Sequence, residues 1–233
     1  VAKSVRLALG GEIVPDAVNV SGGVIVEEVR PGIALVEKLG RVFTAVAGGV
    51  PLHLDLDVCG EITEHDVSIW KLAALKGLFT DVVEDQVSYV NAPVIAEARG
   101  VGVTLTTDSA SGDFRNVTTL RGTLKDGTEV SVAGTLTGPR MIEKLVGING
   151  FDLEVPLSDH LAAFTYADRP GIIGQVGGIL GDSAINVGGM QVARSEKRDT
   201  ALMVLSVDSE LPAEVAARIA EGIGAVHFAV VNL

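Results

Sequence analysis

From residue 161 onward the apolar positions change period in a fixed order. Residues 161–166, LAAFTY, alternate as a strand does. Over residues 171–180 the period lengthens, placing Ile172, Ile173, Val176, Ile179 and Leu180 on one helical face. Two further strand patterns, residues 185–194 and 201–208, are joined by the charged turn 195–200. Leu211-Pro212 opens a second helix carrying Val215, Ile219 and Ile223, and residues 225–233 close as a strand. The order is βαββαβ, a ferredoxin-like unit with short connections. Asp168-Arg169-Pro170-Gly171 stands between its first strand and first helix. Pro170 suits the first helical turn, where a missing N–H costs nothing, and Asp168 stands where a capping carboxylate would. The backbone donors of that turn, at the positive end of the helix dipole, can receive a carboxylate or phosphate.

The preceding half is patterned differently. Residues 24–47 are amphipathic at helical spacing, interrupted only by Pro31-Gly32, and residues 51–62 alternate strictly as a strand. Residues 64–83 predict a long helix with Val67, Trp70, Leu72, Ala74, Leu75, Leu78 and Phe79 apolar. Asn91-Ala92-Pro93 starts another helix ending at Gly100, and strands follow at 102–110, 114–124 and 128–137, the last two joined by the hairpin signal Lys125-Asp126-Gly127. The first twenty residues resemble the end of an amphipathic helix closed by Gly10-Gly11, then an extended segment. No Met precedes Val1 and no capping signal opens that helix, so the chain is expected to continue upstream.

Composition narrows the function classes. The 233 residues are 47% hydrophobic and 21% charged, enough for two modest cores. A net charge of −12 argues against nucleic acid or an anionic membrane surface as partner, and few aromatic residues leave little for base stacking. Charged residues or glycine interrupt every stretch long enough to span a bilayer. A single cysteine, Cys59, forms no internal disulfide, which fits a reducing, cytoplasmic compartment.

Three constellations carry candidate chemistry. Strand periodicity puts His53, Asp55, Asp57, Cys59 and Glu61 on one face with His65 just beyond, residue types that bind divalent metals. Side chains two apart on a strand lie about 6–7 Å apart, too far for neighbours to share an ion unaided. The plain alternative is a solvated sheet face, and no metal is assigned. Arg140 and Lys144, four apart after Gly138-Pro139, would share a helical face near a helix N-terminus and suit an anion. The acidic Phe151-Asp152-Leu153-Glu154 segment that follows weighs against it. Gly171, Gly174, Gly177 and Gly178 imitate a phosphate loop, but they fall inside a helix where close packing is the simpler account. No GxGxxG follows a strand with an acidic residue about 20 residues on, so no dinucleotide site is expected here.

The strand, the DRPG turn, the helix ending Leu180-Gly181 and the strand opening Ile185-Asn186 resemble an ACT domain, an amino-acid-sensing module. The opening VPDAVNV, together with YVNAPVIAEARG and VAGTLTGPRMIEKLVGING, resembles the long-form D-3-phosphoglycerate dehydrogenase family, in its intervening domain and the tail of its catalytic half. The resemblance implies an α+β chain divided as a tail at residues 1–20, an intervening α/β domain with a mostly antiparallel sheet at 21–157, and a ferredoxin-like ACT domain at 158–233. It implies L-serine as effector, bound by Tyr166, Asp168, Pro170 and Gly171 of one subunit and Asn186 of another. It also implies a homo-oligomer built through the ACT and intervening domains. NAD would belong to the parent enzyme, with no cofactor or catalytic residue in this chain. Two alternatives stay open: a free-standing amino-acid-binding or assembly module, and a subunit of an iron-sulfur serine dehydratase, for which the lone Cys59 offers no cluster set.

Overall fold

The computed structural model describes residues 25–196 and 199–233. The expected tail at residues 1–20 and the middle of the charged turn at 197–198 lie outside the described residues. The fold is α+β with mostly antiparallel sheets, and the chain divides into two compact units after Glu143.

In the first unit, helix α1 (Arg30–Ala47) is followed by strand β1 (His53–Gly60), a single 3-10 turn (Glu61–Glu64), and helices α2 (Ile69–Thr80) and α3 (Ala92–Arg99). Strands β2 (Gly102–Asp108), β3 (Asn116–Thr123) and β4 (Glu129–Thr137) complete it. The strands run in the order β2-β1-β3-β4, with β1–β2 parallel and β1–β3 and β3–β4 antiparallel. Leu54, Leu56 and Val58 alternate inward on β1 while His53 and Asp55 stay exposed. Pro31 begins α1 rather than interrupting it, since a ring locked at helical φ is accommodated in the first turn. The helix expected over 64–83 is shorter, because the Asp66 carboxylate accepts the Ser68 N–H at 2.9 Å and turns the chain just before α2 begins. The indole N–H of buried Trp70 donates to the Val29 carbonyl at 3.1 Å, fixing α2 against the start of α1.

Strand β5 (Ile142–Ile148) stands where a helix bearing Arg140 and Lys144 was expected. Arg140 lies in the turn between β4 and β5, and Lys144 is on the strand, so no helical face holds the pair. Leu145, Val146 and Ile148 are buried, a two-sided burial that suits a β-branched strand. The turn Asn149-Gly150, with φ of 49° and 80°, closes a tight hairpin to β6 (Phe151–Pro156).

The second unit adds β7 (His160–Ala167), α4 (Ile172–Asp182), β8 (Val187–Arg194), β9 (Thr200–Val207), α5 (Ala213–Ile223) and β10 (Ala225–Asn232). Its sheet is antiparallel in the order β10-β7-β9-β8. Ala162, Phe164 and Tyr166 of β7 meet Met203 and Leu205 of β9 under Val176 and Leu180 of α4 and Ile219 and Ile223 of α5. Each fully buried large side chain there contributes about 1.5–3 kcal/mol. Ile173, expected on the inner face of α4, is 56% exposed, because Ile172, Val176 and Leu180, spaced by four, take the buried line and Ile173 lies about 100° round the helix from Ile172. The β5–β6 hairpin belongs to this unit: β6 lies beside β8, and the Glu154 N–H donates to Gln191 Oε1 at 2.8 Å.

Candidate functional site

The end of β7 and the start of α4 form a polar corner over the core of the second unit. Gly171 is the residue before α4, with φ of 93°, a left-handed conformation that a side chain would strain. Pro170 thus precedes the helix, and no side chain caps it. The expected cap from Asp168 is not made. An 11-residue helix consequently begins with first-turn N–H groups that have no side-chain acceptor.

Asp168 instead forms an ion pair with Arg194, its Oδ2 lying 2.8 Å from the Arg194 Nε. The reason lies in the sheet register. Tyr166 pairs with Ala201, and Ala201 pairs with Arg194, so the three occupy one row across β7, β9 and β8. Ala201 and Tyr166 face the helices, and Arg194, in step with Val192 and Met190, emerges on the same side at the strand end. The small Ala201 between them leaves room for the guanidinium to reach Asp168. Asp168 is mostly buried, with 18% of its side chain exposed, whereas Arg194 is 59% exposed. The backbone N–H of Asp168 donates to the Asp199 carbonyl at 3.0 Å, anchoring the chain as it leaves β7.

Tyr166 is 2% exposed, its ring packed in the core. Burial first, then the charge of Asp168, push its phenol pKa up, against a smaller lowering by Arg194, so the hydroxyl stays protonated and able to donate. Asp199 is held below the usual carboxylate range by hydrogen bonds from Ser195 Oγ and Thr200 Oγ1. Arg169, next to Asp168, turns away and donates to the Ile223 carbonyl at the C-terminus of α5.

Asn186 lies at the far end of the sheet. It precedes β8, about 25 Å along that strand from Arg194 at about 3.3 Å per residue. Its amide donates to Asp208 Oδ2 at 2.6 Å. Within one chain, Tyr166, Asp168, Pro170 and Gly171 are brought together and Asn186 is not. Arg194 escaped sequence reasoning because its relation to Asp168 depends on a register spanning three strands.

The other constellations have local partners. Lys144 Nζ is 2.7 Å from Glu154 Oε2, so its charge is already matched by the acidic segment noted in the sequence. His53 is hydrogen-bonded to Thr104 at 2.7 Å, Asp57 pairs with Arg121, and Glu61 with Arg115 at 2.7 Å. Among the described residues no group of three or more His, Cys, Asp or Glu side chains gathers to hold a metal. The Cys59 thiol pKa is raised, by burial first and then by Asp108 and Asp57. A cavity of ≈ 600 Å³ in the first unit is lined by Trp70, Phe114, Leu136, Glu61, Glu64 and Arg115 among others, and neither Arg140 nor Lys144 reaches it. Among the described residues no helix is long and apolar enough to cross a membrane.

Comparison with known proteins gives this geometry a family. Residues 28–149 match the D-3-phosphoglycerate dehydrogenase intervening domain, and residues 161–221 match the ACT domain. The chain is 42% identical over 233 residues to the D-3-phosphoglycerate dehydrogenase of Mycobacterium leprae, covering all of this chain and 44% of that protein. The Synechocystis enzyme is 34% identical over 215 residues, with 91% of this chain and 38% of the relative covered. For the Bacillus subtilis enzyme the figures are 30% over 184 residues, 79% and 35%. The chain thus spans less than half the length of these relatives. It belongs to the D-3-phosphoglycerate dehydrogenase family, as an intervening domain joined to an ACT domain.

Proposed function

We propose that this chain is the regulatory portion of an NAD-dependent D-3-phosphoglycerate dehydrogenase of L-serine synthesis, and that its ACT unit binds L-serine for feedback inhibition. The observation that carries the reading is the corner after β7, in a unit of ACT type: a mostly buried Asp168 carboxylate beside a helix start with no side-chain cap. A zwitterionic amino acid has one group for each. Its ammonium suits Asp168, its carboxylate suits the first-turn N–H groups of α4, and the protonated Tyr166 hydroxyl supplies a donor nearby.

Asn186 of a second subunit would complete the site, since the same chain's Asn186 stands at the opposite end of the sheet. A ligand shared between subunits favours one pairing of ACT domains. Inhibition follows if that pairing disfavours the catalytic geometry, because only differential affinity for two states shifts their balance. NAD and the catalytic residues would belong to the remainder of such an enzyme, and its setting would be the cytoplasm.

Calorimetric titration with L-serine, with D-serine and glycine as controls, tests the reading. Saturable, stereoselective binding is expected, and Asp168→Ala should abolish it without unfolding the unit. Undiminished affinity in that variant would remove Asp168 from the site. A folded oligomer giving no heat with any of the three would make the chain an assembly module instead.

A further inference from the structure

We infer that Arg194 determines the class of ligand accepted at the corner after β7, selecting α-amino acids over amines of the same size; the inference rests on the reading that Asp168 receives the ligand's ammonium group. The Asp168 carboxylate is matched by Arg194 at 2.8 Å. Any cationic group that takes Asp168 displaces that guanidinium. A simple amine satisfies the carboxylate but strands Arg194, so the charge-assisted hydrogen bond lost is merely replaced. An α-amino acid carries its own carboxylate two bonds from the ammonium. The released guanidinium can pair with it, so one ion pair is exchanged for two.

The geometry supports this exchange. Arg194 is 59% exposed and ends strand β8, so its head can move by rotating about its stem while the backbone stays paired to Ala201. Asp168 is 18% exposed and held by its backbone bond to Asp199, so it stays in place. The fixed partner is the Asp168 carboxylate and the movable one is the guanidinium, which can donate to one oxygen of the ligand carboxylate while the first-turn N–H groups of α4 take the other.

Ethanolamine is the discriminating probe, being L-serine without its carboxylate. The chain and its Arg194→Met variant are titrated with both. Removing Arg194 frees Asp168 equally for each ligand, so the ratio of their affinities isolates the carboxylate contact. That ratio, in favour of L-serine, should fall about tenfold or more in Arg194→Met, as loss of one charge-assisted contact implies, and Arg194→Lys should retain part of it. If ethanolamine binding is too weak to measure in the unsubstituted chain, its appearance in Arg194→Met, where Asp168 has lost its competing partner, is the expected result. An unchanged ratio, or ethanolamine binding that stays undetectable in Arg194→Met while L-serine still binds, overturns the role of Arg194 while leaving serine binding at Asp168 standing. Failure of the unsubstituted chain to bind L-serine overturns both.

Discussion

Ala184 holds a backbone conformation that its side chain disfavours. Its φ is 54°, and its N–H donates to the Gly181 carbonyl at 3.0 Å while that of Ile185 reaches Leu180 at 3.0 Å. This is the paired-bond closure of a helix that most often uses glycine at the left-handed position. Ala184→Gly should therefore stabilise the second unit by about 1 kcal/mol, the left-handed cost relieved less the extra backbone entropy of glycine. Thermal unfolding checks it: a rise of a few degrees is expected, and a fall would mean the Ala184 methyl packs more favourably than its conformation costs. The same residue explains a misjudged boundary. Gly181 looks like the end of α4 in the sequence, yet the helix runs to Asp182 and turns at an alanine that gives no such signal. Asp168 is a parallel case. Four residues from α4 it has the chemistry of a cap, but an arginine two strands away competes for it, and local spacing carries no information about that arginine.

At the level of elements, α1 and α2 approach closely enough that a glycine is required on each. A Cβ on Gly77 would lie 1.9 Å from the Glu37 carbonyl oxygen, and one on Gly40 would lie 2.6 Å from that of Ala74. The obstacle is backbone, so the helices must separate to accept Gly77→Ala. The expected loss is about 1–3 kcal/mol, even after about 1 kcal/mol gained from the better helix propensity of alanine. Gly177→Ala, in α4, is the control: an added Cβ meets nothing within 4 Å, so the propensity gain stands alone and stability should rise. Denaturant titration of both variants decides the point, since equal effects would mean that the α1–α2 approach carries no special cost. Elements with a clean period were legible before the structure, among them β1, α5 and the strands of the ACT unit. Those that failed carried two signals at once. Residues 142–148 place Arg140 and Lys144 at helical spacing, yet Leu145, Val146 and Ile148 are buried in a strand closed by Asn149-Gly150. The turn chemistry was in the sequence and outweighed the charge spacing.

On the scale of the assembled molecule, the separation of Asn186 from Asp168 makes the proposed site a property of a pair of chains. A net charge of −12 opposes association, so whatever brings two copies together works against self-repulsion that salt screens. Serine bridging the two would favour the pair, and by linkage the pair would favour serine. Complementation makes this explicit. Asp168→Ala removes the ammonium partner and Asn186→Ala the contribution from the other subunit, so a homodimer of either variant has no complete site. In a mixed dimer both lesions fall in one site: the Asp168→Ala substitution of the first chain faces the Asn186→Ala substitution of the second, while the reciprocal site keeps Asp168 and Asn186 intact. Equal mixing with free exchange gives half the dimers this composition, each with one functional site of two. Calorimetry on the mixture should recover about a quarter of the original binding capacity at near-original affinity, where each variant alone shows none. Recovery tracks subunit exchange and should be absent when the variants are mixed under conditions that prevent it. A mixture as inactive as its components would place both residues in a site within one chain, which the length of β8 forbids in this fold, whereas binding retained by Asn186→Ala alone would exclude Asn186 from the site.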